Sequence, residues 1–368
     1  MNYQILARKW RPQSFKDIIG QKYIITAILN GLLLGKIHHG WLFYGTRGIG
    51  KTTIARLIAK SLNCVKGITP YPCGKCIICK EIEQTRCPDV IEIDAASRTK
   101  VEDMREILDS IFYSPIKTRF KIYLIDEVHM LSRNSFNSLL KTLEEPPEHV
   151  KFILATTDIE KIPKTIISRC LCFNLQTLSE EKIFNFLKKI LNIESIKYDD
   201  QSLKVISHYA KGSIRDALNL LECAISLGKN RVCIKNVVNM LQIPTEEQAF
   251  LLTDALLKKE TKQMMRLLYE IVDTGVDWEE ILTAMLRILY YISMSKLFPL
   301  KWEQGFINTY KHKINNLGKL ITHQDIQLCY KMLLNGKKEL IFAPNNQIGV
   351  EMTLIQTIKT YKNKTFNK

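Results

Sequence analysis

The sequence has no uninterrupted apolar run of the ~18 residues that a membrane-spanning helix needs. Its greasiest stretch, Ile281 to Phe298, is broken by Arg287 and Lys296. Behind Met1 there is no apolar segment followed by a small-residue cleavage site, so export is not expected. Without a secretory route the ten cysteines are not expected to pair as disulfides. Nothing repeats at solenoid periods, and 46% hydrophobic with 24% charged residues is ordinary globular composition. These absences exclude membrane-spanning, secreted, repeat-array and disordered classes. They leave a soluble, cytoplasmic protein with no membrane partner.

Acidic residues are also scarce relative to basic ones, 37 against 53, for a net charge of +16. Such an excess favours a polyanionic partner such as nucleic acid. The excess is diffuse, however, and part of it reflects an Ile-, Lys- and Asn-rich composition. At about 150 residues per domain, 368 residues predict two or three domains.

What is present is an alternation of short apolar runs with helical patterns, the signature of a parallel α/β sheet. Strands are expected at 41–44, 90–94, 120–125, 151–155 and 171–175. Helices are expected over 52–62, from Ser97 or Thr99 through Ile111, and from Ser132 to Pro146. After about Thr177 the strands stop and helical periodicity continues to the Lys-rich tail, with Gly228 and Pro244 as breaks. The expected division is 1–178, 179–243 and 244–368.

Gly45-Thr46-Arg47-Gly48-Ile49-Gly50-Lys51-Thr52, followed by Thr53, fits G-x-x-x-x-G-K-[ST] between a strand and a helix. Glycines let the backbone N–H groups converge on phosphate oxygens, and the helix N-terminus adds its positive end. Lys51 then reaches the β and γ phosphates, and the Thr52 hydroxyl ligates Mg²⁺. Downstream, Leu124-Ile125-Asp126-Glu127 ends an apolar strand in two carboxylates. Asp126 can hold Mg²⁺ through water, and Glu127 can orient the attacking water. Arg169, in Ser-Arg-Cys, and Arg215, at a helix start, each offer a cation for a γ-phosphate. Each is equally readable as a surface arginine paired with a carboxylate such as Asp216, and spacing leaves both readings open.

Cys64-x8-Cys73-x2-Cys76-x2-Cys79 places four thiols in a turn-rich insertion. Four soft ligands with this spacing suit tetrahedral Zn²⁺ in a structural role, with an iron–sulfur site as the alternative. Cys87 is a further thiol that spacing does not exclude. For the six cysteines outside the cluster, burial as a small hydrophobe is the default.

With these motifs the chain resembles the gamma/tau subunits of the bacterial DNA polymerase III clamp loader, a family of AAA+ ATPases. The resemblance is carried by Leu6-Ala7-Arg8-Lys9-Trp10-Arg11-Pro12, the loop at Gly45 to Thr53, the four cysteines and Ile125 to Leu131. Lys141 to Pro147, Ala155 to Asp158, Ser168-Arg169-Cys170 and Gly212 to Ala217 also match. It implies an α/β P-loop AAA+ domain with a parallel sheet and a zinc-knuckle insertion at about 64–79, then a small helical lid and an all-α collar. It implies ATP, Mg²⁺ and structural Zn²⁺ as cofactors, with Arg8 and Arg11 in segments lining the adenine pocket. Arg169 would act as a finger on the ATP of a neighbouring subunit, and Arg215 as a lid sensor on the chain's own nucleotide. Thr156 or Thr157, the latter taken as the nucleotide-facing residue, falls at the polar sensor position.

The implied partners are the delta and delta-prime subunits, other copies of the chain in a five-membered ring, the beta sliding clamp and primer–template DNA. The end at Lys368 resembles the short gamma form. Phosphate contacts to DNA are expected from Ser97 to Lys100, Arg105, Arg133 and Lys141. A non-hydrolysing scaffold like delta-prime would not need Lys51, Thr52, Asp126 and Glu127. A branch-migration helicase or initiator would not need the cysteine knuckle, and a zinc-dependent nucleic-acid module would use nucleotide only structurally.

Overall fold

The computed structural model describes residues 4–97, 110–297, 317–318 and 321–366, in two compact units, 1–226 and 227–368. In the first unit, β1 (Gly40–Tyr44), β2 (Val90–Asp94), β3 (Lys121–Asp126), β4 (Val150–Thr156) and β5 (Leu171–Asn174) form one parallel sheet. The strand order is β2-β3-β4-β1-β5. Every residue of β4 is buried, as are the first five of β3, which is what a parallel sheet covered on both faces requires. Alternation along β1 sorts the core: Trp41 and Phe43 join one apolar cluster, and Leu42 joins the other.

The helices of this unit are α1 (Leu6–Lys9), α2 (Lys22–Leu33), α3 (Lys51–Asn63), α4 (Ile77–Glu83), α5 (Arg133–Glu144) and α6 (Lys164–Ile167). After the sheet come α7 (Glu180–Ile193), α8 (Asp200–Tyr209) and α9 (Ile214–Leu227). Each expected strand lies within a residue of its observed bounds. Ser132 caps α5 by accepting the Ser135 N–H, satisfying one of the donors a helix start leaves unpaired. The helix expected from Ser97 or Thr99 onward falls on residues 98–109, outside the described residues, as do the candidate DNA contacts Arg98, Thr99, Lys100 and Arg105. Two-residue strands at Lys197–Tyr198 and Arg231–Val232 correct the expectation that strands end at Thr177. So short a run carries no readable period.

The second unit is built from α10 (Ile234–Leu241), α11 (Glu246–Leu257), α12 (Thr261–Val272), α13 (Trp278–Leu297), α14 (His323–Glu339) and α15 (Asn346–Phe366). Apolar residues spaced one turn apart, such as Leu282, Met285 and Leu289 on α13, merge into a single core. Among the described residues no helix is long and apolar enough to cross a membrane.

Candidate active site

The parallel register brings three strand ends to one edge. Tyr44 pairs with Thr156 and Ile125 with Leu154, so Asp126 at the end of β3 and Gly45 and Thr157 just past β1 and β4 lie at the same end of the sheet. The loop from Gly45 to Gly50 leaves β1 there and runs into α3, whose first residue is Lys51. Gly48 has φ +77°, and a Cβ on it would run into the Ser213 side chain at the entry to α9. The Gly48 carbonyl also accepts the Arg215 N–H at 3.4 Å, so the start of α9 rests on the loop.

Lys51 is 5% exposed, and its ammonium donates to the carbonyls of Gly45 (2.8 Å) and Thr46 (3.0 Å). Burial pushes its pKa below the ordinary lysine value, opposed by the charges of Glu127 and Asp126. Thr52 Oγ1 donates to Asp126 Oδ2 at 2.6 Å. A hydroxyl and a carboxylate so paired supply the hard oxygens that Mg²⁺ takes, so the residues present fit that ion. Asp126 Oδ1 accepts the Glu127 N–H at 3.0 Å. Glu127 itself sits at φ +48°, and its Oε2 accepts from the Thr157 N–H (3.0 Å) and hydroxyl (2.9 Å). Thr156 is fully buried and bonds to His129 instead. Of the two threonines left open by the sequence, Thr157 is the one that touches the carboxylate.

Arginines gather around Arg11. Arg11 is held below its ordinary pKa first by burial and then by the charge of Arg56, with Arg215 and Arg8 adding to the same push. Glu92 offsets them through a forked pair to Arg56, with Nη2 2.7 and 2.8 Å from its two oxygens. Arg215 is exposed and makes no ion pair with Asp216 among the described residues, whereas Arg169 does carry a carboxylate partner, Glu144.

Arg169 lies elsewhere. It precedes β5, and its carbonyl backs onto Gly40 at the start of β1, the opposite end of the sheet from Gly45. Five residues of strand at ~3.3 Å each separate those ends by about 16 Å. Its guanidinium is bound to Glu144 Oε1 (2.5 Å) and the Thr165 carbonyl (2.9 Å). It cannot reach the phosphate loop of its own chain.

At the other end of α3, the sulfurs of Cys64, Cys73, Cys76 and Cys79 all lie within 4.8 Å of one another. Thiolates at ~2.3 Å around a tetrahedral ion would stand ~3.8 Å apart, so the set fits a metal, and Cys73 and Cys79 are 4.0 Å apart. Backbone N–H groups of Cys73, Cys76 and Cys79 point at the sulfurs of Cys64, Cys73 and Cys76. N–H groups of Lys75 and Cys76 bring the Cys73 thiol down to about 6, whereas burial raises Cys79. Cys87 is outside this group. Among the remaining cysteines Cys87 and Cys329 are buried as expected, but Cys172 and Cys223 are exposed, a correction to the default. Cys172 is on the edge strand β5 and Cys223 at an exposed position of α9.

Sequence reasoning missed the Arg56–Glu92 pair, the buried Lys60 and His129. Glu92, a charge inside the apolar run Val-Ile-Glu-Ile, is the one sequence signal for the first. Arg133 and Lys141 are exposed on α5.

The parallel sheet, the phosphate loop, the strand-end carboxylates and the helical segment resting on the loop define a P-loop ATPase of the AAA+ class. Family models agree along the chain. "DNA polymerase III, delta subunit" matches residues 20–179, the clamp loader subunit ATPase lid domain 182–230, and domain III of subunits gamma and tau 232–365. DNA polymerase III subunit gamma of Buchnera aphidicola (from Acyrthosiphon pisum) is 68% identical over 97% of this chain and 99% of that one. Subunit tau of Escherichia coli is 52% identical over 97% of this chain and 56% of that one. A solved structure of the Thermotoga maritima RuvB branch migration motor overlays with a TM-score of 0.48 at 20% identity, covering 73% of this chain and 86% of that chain. The chain belongs to the gamma/tau family of DNA polymerase III subunits, the ATPase components of the clamp loader.

Proposed function

We propose that the chain is a motor subunit that uses ATP binding and hydrolysis to open the sliding clamp and load it onto primed DNA in the cytoplasm. The observation that supports this reading most is the division of labour between two arginines. Arg215 stands on its own phosphate loop, while Arg169 stands at the far end of the strands, about 16 Å along β1, half-buried and held by Glu144. A site that lacks one cation on its own chain is completed when a second subunit docks, so hydrolysis depends on assembly.

In this reading Lys51 and the loop N–H groups hold the phosphates, with Gly45 to Thr53 as the cradle. Arg8 and Arg11 border the base, and Arg215 reports nucleotide to the lid. Thr157 holds Glu127 where it can polarise water. Mg²⁺, held by Thr52 and Asp126, would neutralise phosphate charge. Zn²⁺, held by Cys64, Cys73, Cys76 and Cys79, would tie the insertion together as a structural centre. The nucleotide-binding domain is 1–178, the lid 179–243 and the collar 244–368. The collar assembles the five-membered ring of further copies with delta and delta-prime. The ring then acts on the beta clamp and grips primer–template phosphates, with Arg133 and Lys141 among the candidate contacts.

The test is steady-state ATP hydrolysis by the chain alone, then with partner subunits, clamp and primed DNA, for the wild type and Arg169→Ala. The expected result is a low basal rate that rises sharply in the full mixture. In Arg169→Ala the rise should be lost by roughly 10³-fold while nucleotide affinity stays put. A rate indifferent to clamp and DNA would leave the ATPase standing and remove the clamp-loading role.

A further inference from the structure

Among the described residues, every hydrogen bond to the Glu127 carboxylate falls on one oxygen. Oε2 accepts from Thr157 twice, at 3.0 and 2.9 Å, and His129 Nδ1 stands 3.5 Å from it. Oε1 takes none of these. His129 comes two residues after Glu127, in the turn Val128–Met130 that follows β3, with its side chain 11% exposed. Its Nδ1 is also 2.9 Å from Thr156 Oγ1 at the end of β4.

The protons on this network can be assigned. Thr156 Oγ1 lies 3.0 Å from the Asp158 carbonyl and 3.1 Å from the Asp158 N–H. A hydroxyl has one proton to give, and the carbonyl can only accept, so the Thr156 proton goes there. The Asp158 N–H and His129 Nδ1 are then both donors to Oγ1. That places the His129 proton on Nδ1 and directs it to Thr156 Oγ1, with Glu127 Oε2 standing 3.5 Å from the same nitrogen. Because Thr156 is fully buried, an unmet bond here would be costly, so the imidazole is held in place.

Glu127 needs such support. A φ of +48° is rare for a residue with a side chain, and its carboxylate projects from a strained turn. We propose that His129, braced on Thr156, is a positioning residue that packs beside Oε2 of Glu127, the oxygen Thr157 grips, and so keeps Oε1 turned to the attacking water. The two adjacent threonines thereby divide one task, Thr157 gripping the carboxylate directly and Thr156 gripping the imidazole beside it. This inference rests on the reading of Glu127 as the water-polarising residue.

The test uses the full chain with its partner subunits, clamp and primed DNA at varied ATP. His129→Ala should lower kcat by about tenfold, with KM for ATP within about twofold and the melting temperature unchanged. His129→Asn, whose amide can place an N–H near the position of Nδ1, should restore most of the rate. Thr156→Val should reproduce the split, and combining it with His129→Ala should cost little more than either alone. Wild-type kcat in His129→Ala overturns the proposal. So does a His129→Asn variant as slow as the alanine, or a KM or melting temperature that moves with kcat. Glu127→Gln is the separate arm: full activity there sinks the role given to Glu127, whereas an inactive Glu127→Gln beside an unslowed His129→Ala sinks the positioning role alone.

Discussion

α3 carries chemistry at both ends, and the two ends are built on opposite principles. At its start the working groups are mostly backbone, the loop from Gly45 to Gly50, with Lys51 as the buried side-chain charge at the helix's first residue. At its finish the working groups are side chains: Cys64 ends the helix and three more thiols return to it from a turn-rich insertion. A backbone cradle is already shaped by the fold, because its donors need no ligand to hold them apart. Four sulfurs held within 4.8 Å of one another are different. As thiolates they repel, and a cation is what makes their closeness favourable. The first end should therefore lose function without losing structure, and the second should lose structure first.

The largest expected effect is at the start of the helix. Lys51→Ala removes the ammonium now held by the carbonyls of Gly45 and Thr46 and should lower stimulated hydrolysis by roughly 10³-fold. The buried charge it removes is itself a desolvated group, so the melting temperature should hold or rise slightly. Hydrolysis assays beside thermal melts check the pair of readouts. A collapse of the melt together with the rate would erase the contrast between the two ends.

Next in size is the metal end. Removing the metal with a strong chelator, or replacing Cys76 with Ser, should lower the melting temperature of the N-terminal unit by roughly 5–10 °C. Elemental analysis should find about one zinc per chain before treatment and little in Cys76→Ser. Several irons and a sulfide absorption band would instead identify a cluster. Loss of rate at temperatures where the melt is intact would assign the thiols a part in the reaction and break the comparison.

How much of this could be read in advance follows from the same contrast. The phosphate loop and the cysteine spacing are local in sequence, so a strand, six residues and a helix sufficed for one, and a count of intervals for the other. The strands were legible because a sheet buried on both faces shows as runs such as Phe120 to Ile125. Pairings that join distant segments left no such trace. Glu144 meets Arg169 across 25 residues, and Arg56 meets Glu92 across 36. His129 reads in sequence as an ordinary polar residue of the Asp-Glu-Val-His run. Only the parallel register of β3 on β4 brings it to Thr156. The choice between Thr156 and Thr157 was equally closed to sequence, since one falls inside the buried strand and the other just beyond it.

The smallest effect bears on whether the two ends of α3 communicate. Lys60, nine residues after Lys51, is 3% exposed, and its ammonium spans from Gln13 Oε1 (2.7 Å) to Glu83 Oε2 (3.2 Å). Gln13 follows Arg11 and Pro12 beside the arginine cluster, and Glu83 ends α4, the helix that opens at the cysteines. Lys60 is thus a buried cation linking the metal insertion to the segment proposed to border the base. Replacing it with Met keeps the length and apolar stem of the side chain and removes the charge. Glu83 is 43% exposed and regains water, so the stability change should stay near 1 kcal/mol. If the link carries influence, Lys60→Met should weaken ATP binding by about two- to threefold, and stripping the metal from that variant should weaken it no further. The same metal-dependent change in wild type and variant would mean that the ends share a helix and nothing else. Fluorescent-nucleotide titrations with and without chelator decide between the two, because a pair of sites joined through one side chain must lose their coupling when that side chain is gone.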